Sequence, residues 1–480
     1  MAGTREAGGW AVGFGLVLVF GGLAAGPAPG QEASPRRPPG AAPDPAKAAT
    51  ADSPAPTELP VDPVIWPEPR RAELLRNDYP EIPGPVMSDR DRNALVARIG
   101  EMAQGRGLDR ADIKRFVDYN VAELTRRSNI AAMRGETEGA GRNPRALDEA
   151  ASRLIAPLIE APTPANQSFR REYVARLLDH QSQILKGNLL SRSFYMVVLS
   201  RAGMPEVVPV LIEQIRDPEQ AYTVKLLAAV GLTTATDNGR RPLDANTYAV
   251  PAARAVADFL RNSADAPWPV QVRCLEALGA LRQSTENPLT GAAELAGAAF
   301  EFLANPELDP LVRAWAGRSL SRLVYPSQVR GLNLELVAYE LGRASVAAGE
   351  KLVALPVPDG APTRNLKLAA RWIEPLLRAL EAFVGDEQIR GSGLNAMTNG
   401  GGVVRGVEQR IRALATAAVR FSQSAGAQVR PAQLDVEAAL EELRSYLAKN
   451  VPANAEFYPG GPVADLPAAG TPAARATGGR

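Results

Sequence analysis

The residues able to do chemistry are few. The 480-residue chain has one histidine and one cysteine. His180 follows Asp179, a pairing that could act as general acid and base. Neighbours along a helix point in different directions, however, and a base needs its orienting partner on the same face, so the pair predicts no catalysis. Cys274 sits in an apolar helical run, where a thiol is a small buried hydrophobe, and a single cysteine makes no intrachain disulfide. These counts remove Cys/His zinc sites and any triad whose histidine is not His180. The segment 391–406, GSGLNAMTNGGGVVRG, is the one glycine-rich loop ahead of a helix. A phosphate cradle wants a strand before it and Lys-Ser/Thr after the last glycine. Here a helical pattern precedes and no such lysine follows, which predicts an inter-helix loop with Asn395 and Asn399 serving turns. Glu437, Glu441 and Glu442 read as a solvated helix face, and Trp315 and Trp372 fall on apolar stripes that read as core. No catalytic group, metal ligand or cofactor is predicted.

The elements around these residues are amphipathic helices. Ser88 is an N-cap with Asp89 and Asp91 in the first turn, and Leu95, Val96 and Ile99 form an apolar stripe. Further helices are predicted at Ala111–Arg126, Pro144–Glu160, Ser168–Lys186, Ser191–Arg201, Leu334–Val353, Arg364–Val384, Val403–Ser424 and Pro431–Asn450. Between them a unit recurs. Residues 204–232 read as one helix carrying Val207, Val208, Leu211, Ile212 and Ile215, a turn at Asp217-Pro218, and a second helix with Val224, Leu227 and Val230. The second helix returns as VQVRCLEALGAL and then as PLVRAWAGRSLSRL, within 250–281 and 290–323. Aligning Val224-Lys225, Val272-Arg273 and Val312-Arg313 gives separations of 48 and 40 residues, and Asp217, Asp265 and Asn305 each stand eight residues before the basic residue.

This unit resembles the HEAT repeat, in which two antiparallel helices are joined by an Asp/Asn-bearing turn and a Val-Arg pair opens the second helix. The likeness is good over 204–323, degenerate back to Ser88 and weak after Tyr325. Lys225 replaces the expected arginine, and an insertion, 233–248 with TDNGRRPLD, lengthens the first connection. The resemblance implies an α-solenoid whose second helices line a concave face, and it implies no reaction. The polar ladder of Asp217, Asp265, Asn305, Lys225, Arg273 and Arg313 has two readings. Side-chain oxygens cap the turn while the basic groups reach back to it, or the three cations contact an acidic partner.

The remaining chain frames this all-α body. Arg5, an apolar stretch from Trp10 to Ala25 and small residues to Gly30 read as a signal peptide over 1–30, with an uncleaved membrane anchor as the alternative. Residues 31–86 read as a disordered Pro/Ala-rich linker, within which 61–71, VDPVIWPEPRR, is either a docking anchor or an extended turn covering the end of the core. Residues 87–355 form the predicted HEAT-like domain, 362–450 a C-terminal antiparallel helical bundle, and 451–480 a disordered tail. A net charge of +1, with 47 of the 54 basic residues arginine and no long basic run interleaved with aromatics, argues against nucleic acid as a partner. Together these features predict an exported protein, periplasmic, envelope-associated or extracellular, that acts as a protein-interaction scaffold. The rivals are an enzyme or enzyme accessory with carboxylates and arginines in the groove between repeats and bundle, and a membrane-anchored tether.

Overall fold

The structure, a computed structural model, describes residues 79–135, 143–161, 166–287, 289–355, 365–398, 401–424 and 426–466. The predicted signal peptide, the segment 61–71, Asn399 and residues 467–480 lie outside these. Among the described residues the chain is all-helical, with eighteen α-helices and no β-strand. The first seven are α1 (Asp89–Ala103), α2 (Arg110–Thr125), α3 (Arg127–Met133), α4 (Ala146–Glu160), α5 (Gln167–Leu178), α6 (Gln181–Ile184) and α7 (Leu189–Ala202). Then come α8 (Val208–Arg216), α9 (Tyr222–Ala235), α10 (Val250–Asn262), α11 (Trp268–Leu281), α12 (Glu294–Ala304) and α13 (Pro310–Leu320). The last five are α14 (Leu334–Val353), α15 (Asn365–Val384), α16 (Leu394–Met397), α17 (Gly402–Gln423) and α18 (Val429–Lys449). None of these helices is long and apolar enough to cross a membrane.

Local chemistry starts several of them where the pattern predicts. Ser88 accepts from the Asp91 backbone N–H at 3.2 Å, and Asp109 caps α2 by accepting from Ala111 and Asp112. Asp309 accepts from Leu311 at 2.8 Å ahead of Pro310, whose missing N–H costs nothing in a first turn. The α1 stripe is narrower than expected: Leu95 and Ile99 are buried, while Val96 is exposed.

The helices pack as two rows. In the long row α2, α4, α7, α9, α11, α13, α15 and α17 each touch the next; in the short row α8, α10, α12 and α14 do the same. The pairs α8–α9, α10–α11, α12–α13 and α14–α15 join one row to the other. Missing side chains set the closest approaches. A Cβ on Gly279 of α11 would stand 3.0 Å from the Ser319 Cα of α13, and one on Gly317 would overlap Leu341 of α14. Glycine there lets helix backbones come together and leaves no void. At the C-terminal end α14 packs on α15, α17 and α18.

Three expectations need correcting. The helix predicted over Ser168–Lys186 breaks at Asp179-His180 into α5 and α6, where His180 Nε2 meets Asp118 of α2 at 2.8 Å. The last residues of the predicted disordered linker are packed: Tyr79 and Ile82 are buried, and the Ile82 N–H donates to Thr125 at 3.0 Å. Residues 451–466, assigned to a disordered tail, form a strap. Phe457 is fully buried, its ring stacked on Phe300 with centroids 4.6 Å apart, and its carbonyl accepts from the Asn333 N–H at 2.8 Å. Arg343 donates to the Asp465 carbonyl further along at 2.8 Å. One buried aromatic anchors a segment whose composition alone predicts no fold.

Candidate interaction face

The polar ladder divides. Lys225, at the start of α9, is buried and donates to the Ile215 carbonyl at 2.9 Å and to that of Asp217, with its ammonium 5.3 Å from the Phe259 ring centre. Arg313, at the same place in α13, is buried and donates to the Leu303 carbonyl at 2.9 Å. Both reach a carbonyl ten residues back, at the end of the first helix of the pair, where helix-end acceptors need donors. Arg313 also meets Glu340 of α14 at 3.2 Å. Burial pushes the Arg313 guanidinium down to about 10, against the upward pull of Glu340. Burial likewise raises the Glu340 carboxyl, opposed by Arg343 and Arg313. Arg273 behaves differently, pairing along its own helix with Glu276 at 2.6 Å. In its unit Gln271 supplies the donor to a turn carbonyl, that of Ala264, at 2.8 Å. Asp217 and Asn305 close matching turns by accepting from Glu219 and Glu307 two residues on, and Asp265 is exposed. With Lys225 and Arg313 buried, the three cations do not form an exposed basic strip.

A second set of arginines, not singled out by the repeat pattern, ties the long row together along one edge. Arg170 donates to the carbonyls of Leu158 and Ala161 at the end of α4 and to Ala202 at the end of α7. Arg241 donates to Gly203, after α7, at 2.6 Å and to Ala235, at the end of α9, at 2.9 Å. Arg322 donates to the Asn238 carbonyl, the Val324 N–H to the Arg282 carbonyl at 3.1 Å, and the Gly393 N–H to the Ser321 carbonyl at 2.8 Å. Adjacent helix C-termini carry partial negative charge, so guanidinium groups there satisfy acceptors and offset like-pole repulsion. Burial lowers the Arg170 guanidinium, helped by Arg241, and pushes Arg322 down to about 10, helped by Arg318 and opposed by Asp386. The insertion supplies this edge. Asp237, Asn238 and Gly239 take φ of 49°, 55° and 87°, a left-handed run that Asp, Asn and Gly tolerate. It leaves the Asn238 carbonyl to Arg322, 84 residues on. The D-N-G triplet was the sequence signal for this turn, though not for the arginine that reaches it.

The long row keeps a half-buried stripe towards solvent. On α7 and α9 the stripe is Leu190, Val197, Leu226 and Val230; on α11 it is Arg273 and Glu276. On α13 and α15 it becomes a charged cluster. Trp315 has the Arg318 and Arg378 guanidiniums 4.6 and 4.9 Å from its ring centre, and both arginines pair with Glu381, at 2.7 and 2.8 Å. Aromatic and arginine side chains in such paired arrays are what protein interfaces enrich.

The other sequence candidates fall into structural places. Asp179 pairs with Arg176 at 2.8 Å, while His180 pairs with Asp118. Burial pushes the Cys274 thiol up to about 12. In the glycine-rich loop Gly393 meets α13, and Asn395 donates to Glu408 at 2.8 Å. Glu437 and Glu441 face Arg430 and Arg444 at 3.5 and 3.7 Å. Glu442 faces Arg410 at 3.7 Å, Trp315 is buried, and Trp372 is half-buried beneath Arg371. Among the described residues no three His, Cys, Asp or Glu side chains are grouped to hold a metal ion. Comparison with protein-family models, with curated proteins and with solved structures finds no match to the chain in any of the three.

Proposed function

We propose that this chain is an exported, non-catalytic protein-interaction scaffold whose helix pairs stack as a HEAT-like α-solenoid and whose partners bind along the solvent stripe of the long row. The observation that carries the reading is that stripe: side chains of α7, α9, α11, α13 and α15, grading from aliphatic to paired charge, offered by helices that touch in sequence. Stacked pairs bury a common core and leave a broad surface, which suits binding through many modest contacts. The regular neighbour order within each row supports the solenoid arrangement, as do the matching reach-back bonds of Lys225 and Arg313.

The Arg318–Glu381–Arg378 cluster is where an enzymatic site of carboxylates and arginines would lie. Its charges are spent on each other, and Trp315 lies against both guanidiniums, so the cluster favours recognition over reaction. Export rests on the apolar stretch Trp10–Ala25. Retained after translocation, that stretch would make the chain a membrane-anchored tether, and the N-terminal mass of the exported protein separates the two.

The test is site-specific photocrosslinking in the native envelope fraction. A crosslinking residue at Leu226, Arg273 or Glu374, on the long row, is expected to trap one common protein, while Asp258 and Glu301 on the short row do not. Equal trapping from both rows, or none from the long row, would refute the proposal.

A further inference from the structure

The last helix of the long row, α17, packs along α15 and carries four arginines, Arg405, Arg410, Arg412 and Arg420, against one carboxylate, Glu408. Arg405, Gln409, Arg412, Thr416 and Arg420 recur at steps of three or four residues and are all exposed, so they form one solvent strip. Arg410 lies outside it, its guanidinium 3.9 Å from the Tyr446 ring centre of α18. Arg412 shares Glu408 at 2.6 Å, while Arg405 and Arg420 form no ion pair among the described residues. Beside the strip stands an apolar row on α15. Leu377 and Val384 are 37% and 56% exposed, and among the described residues no other helix exposes two large apolar side chains. Exposed Ala370 continues their seven-residue spacing. The row turns away from α13, because Arg371 and Arg378, about 100° round the helix from Ala370 and Leu377, are the residues that meet Asp309 and Trp315. A Cβ on Gly393 would stand 2.7 Å from the Val384 carbonyl, and Asn395 donates to Glu408 at 2.8 Å, so α17 starts where α15 ends and runs back along it.

Antiparallel packing sets Val384 towards the Arg405 end of the strip and Ala370 towards the Arg420 end, which makes a groove with one apolar and one basic shoulder. Exposed apolar side chains that share a face mark interaction sites. Seven residues of helix span about 10.5 Å, so both shoulders repeat at the interval at which a third helix presents its own heptad positions. Such a helix fits with apolar residues over Leu377 and Val384 and carboxylates over Arg405 and Arg412. The carboxylates of α15 turn the other way, Glu374 to Arg378 and Glu381 to Arg378 and Arg318. A phosphate backbone would make no use of the apolar shoulder. We propose that the groove between α15 and α17 docks an amphipathic helix of a partner protein whose apolar stripe is flanked by glutamate or aspartate. This rests on the scaffold reading and names the partner's chemistry at one end of the long row.

Fluorescence anisotropy of a labelled three-heptad peptide, with leucine at a and d and glutamate at e and g, titrated with the full chain tests it. The peptide is expected to saturate with Kd below about 100 μM at about 50 mM salt, and to bind at least about fivefold more weakly at about 500 mM. The same peptide with glutamine at e and g should bind at least about tenfold more weakly. Arg405, Arg412 and Leu377 are exposed, so Arg405→Gln combined with Arg412→Gln, and Leu377→Asp alone, should keep the parent's far-UV spectrum and each weaken the glutamate peptide at least about tenfold. No saturation by about 1 mM, equal affinity of the glutamine peptide, or unchanged binding in either variant would overturn the proposal. So would tighter binding of a short single-stranded DNA that the arginine variant loses, which assigns the groove to nucleic acid, or self-association in sedimentation that Leu377→Asp abolishes, which assigns it to a second copy. Crosslinking from Leu226 and Arg273 tests the scaffold reading separately, so a failed peptide with that trapping retained removes this assignment alone.

Discussion

Consider the charge of Glu340 removed with its shape kept, as Glu340→Gln. The carboxylate is fully buried between Arg313, itself 3% exposed, and Arg343, 26% exposed. Arg343 can turn towards water. Arg313 cannot, and keeps only the Leu303 carbonyl. Breaking a buried pair from one side costs about 3–5 kcal/mol, because it strands the other charge. With a urea slope of about 3 kcal/mol/M, the unfolding midpoint should fall by about 1 M or more. Arg313→Met with Glu340→Leu removes both charges, and the remaining loss is the donor to Leu303, about 1–2 kcal/mol. The double variant should thus be more stable than Glu340→Gln, and the cycle built with the matched singles should show coupling of at least about 1 kcal/mol. The assay is urea unfolding followed by far-UV circular dichroism. A Glu340→Gln midpoint within about 0.3 M of the parent, or strictly additive effects, would refute the claim that this pair joins α13 to α14.

Other consequences can be checked separately. Gly317→Ala should cost about 1–3 kcal/mol by forcing its Cβ against Leu341, and Leu341→Ala should cost less in that background than in the parent when each is read by denaturant unfolding. Arg98 holds the Asp112 carboxyl below its ordinary value. The folded state then binds fewer protons than the unfolded chain as pH falls, so the stabilisation is present above the unfolded pKa and is lost as pH drops through the depressed folded one. Asp112→Asn should be less stable than the parent at pH 7, and the gap should close as the pH of denaturant titrations falls through the depressed Asp112 value. Phe457→Ala should cost about 3–5 kcal/mol and raise hydrogen exchange around Phe300 and Asn333, since the stacked ring is the strap's anchor.

What the sequence made legible follows the range of the forces involved. Helices were readable wherever an apolar stripe ran for several turns, as in Leu334–Val353, because that periodicity is local. The break at His180 was hidden, since its partner Asp118 stands 62 residues away. The strap was hidden for a different reason: Phe457 and Tyr458 are diluted among Pro, Gly and Ala, and a composition average misses a single aromatic with a slot waiting on another helix. Within the candidate face, the offset shared by Lys225, Arg273 and Arg313 exposed a repeated role, but could not tell that Arg273 turns to Glu276 while its two counterparts turn inward. The edge arginines were invisible because their partners are backbone carbonyls, which every residue has; Arg170 and Arg241 select theirs 32 and 38 residues away.

Side-by-side stacking of successive helix pairs is tested most directly by a covalent ruler. A Cβ at position 279 lies 3.5 Å from the Ser319 Cβ, within disulfide reach across α11 and α13. In Gly279→Cys with Ser319→Cys, mild oxidation of the folded protein should form that one bridge, identified by peptide mapping, with buried Cys274 left as a free thiol. Two unreacted thiols at 279 and 319 in a helical, folded chain would contradict the stacking and with it the surface proposed to bind partners.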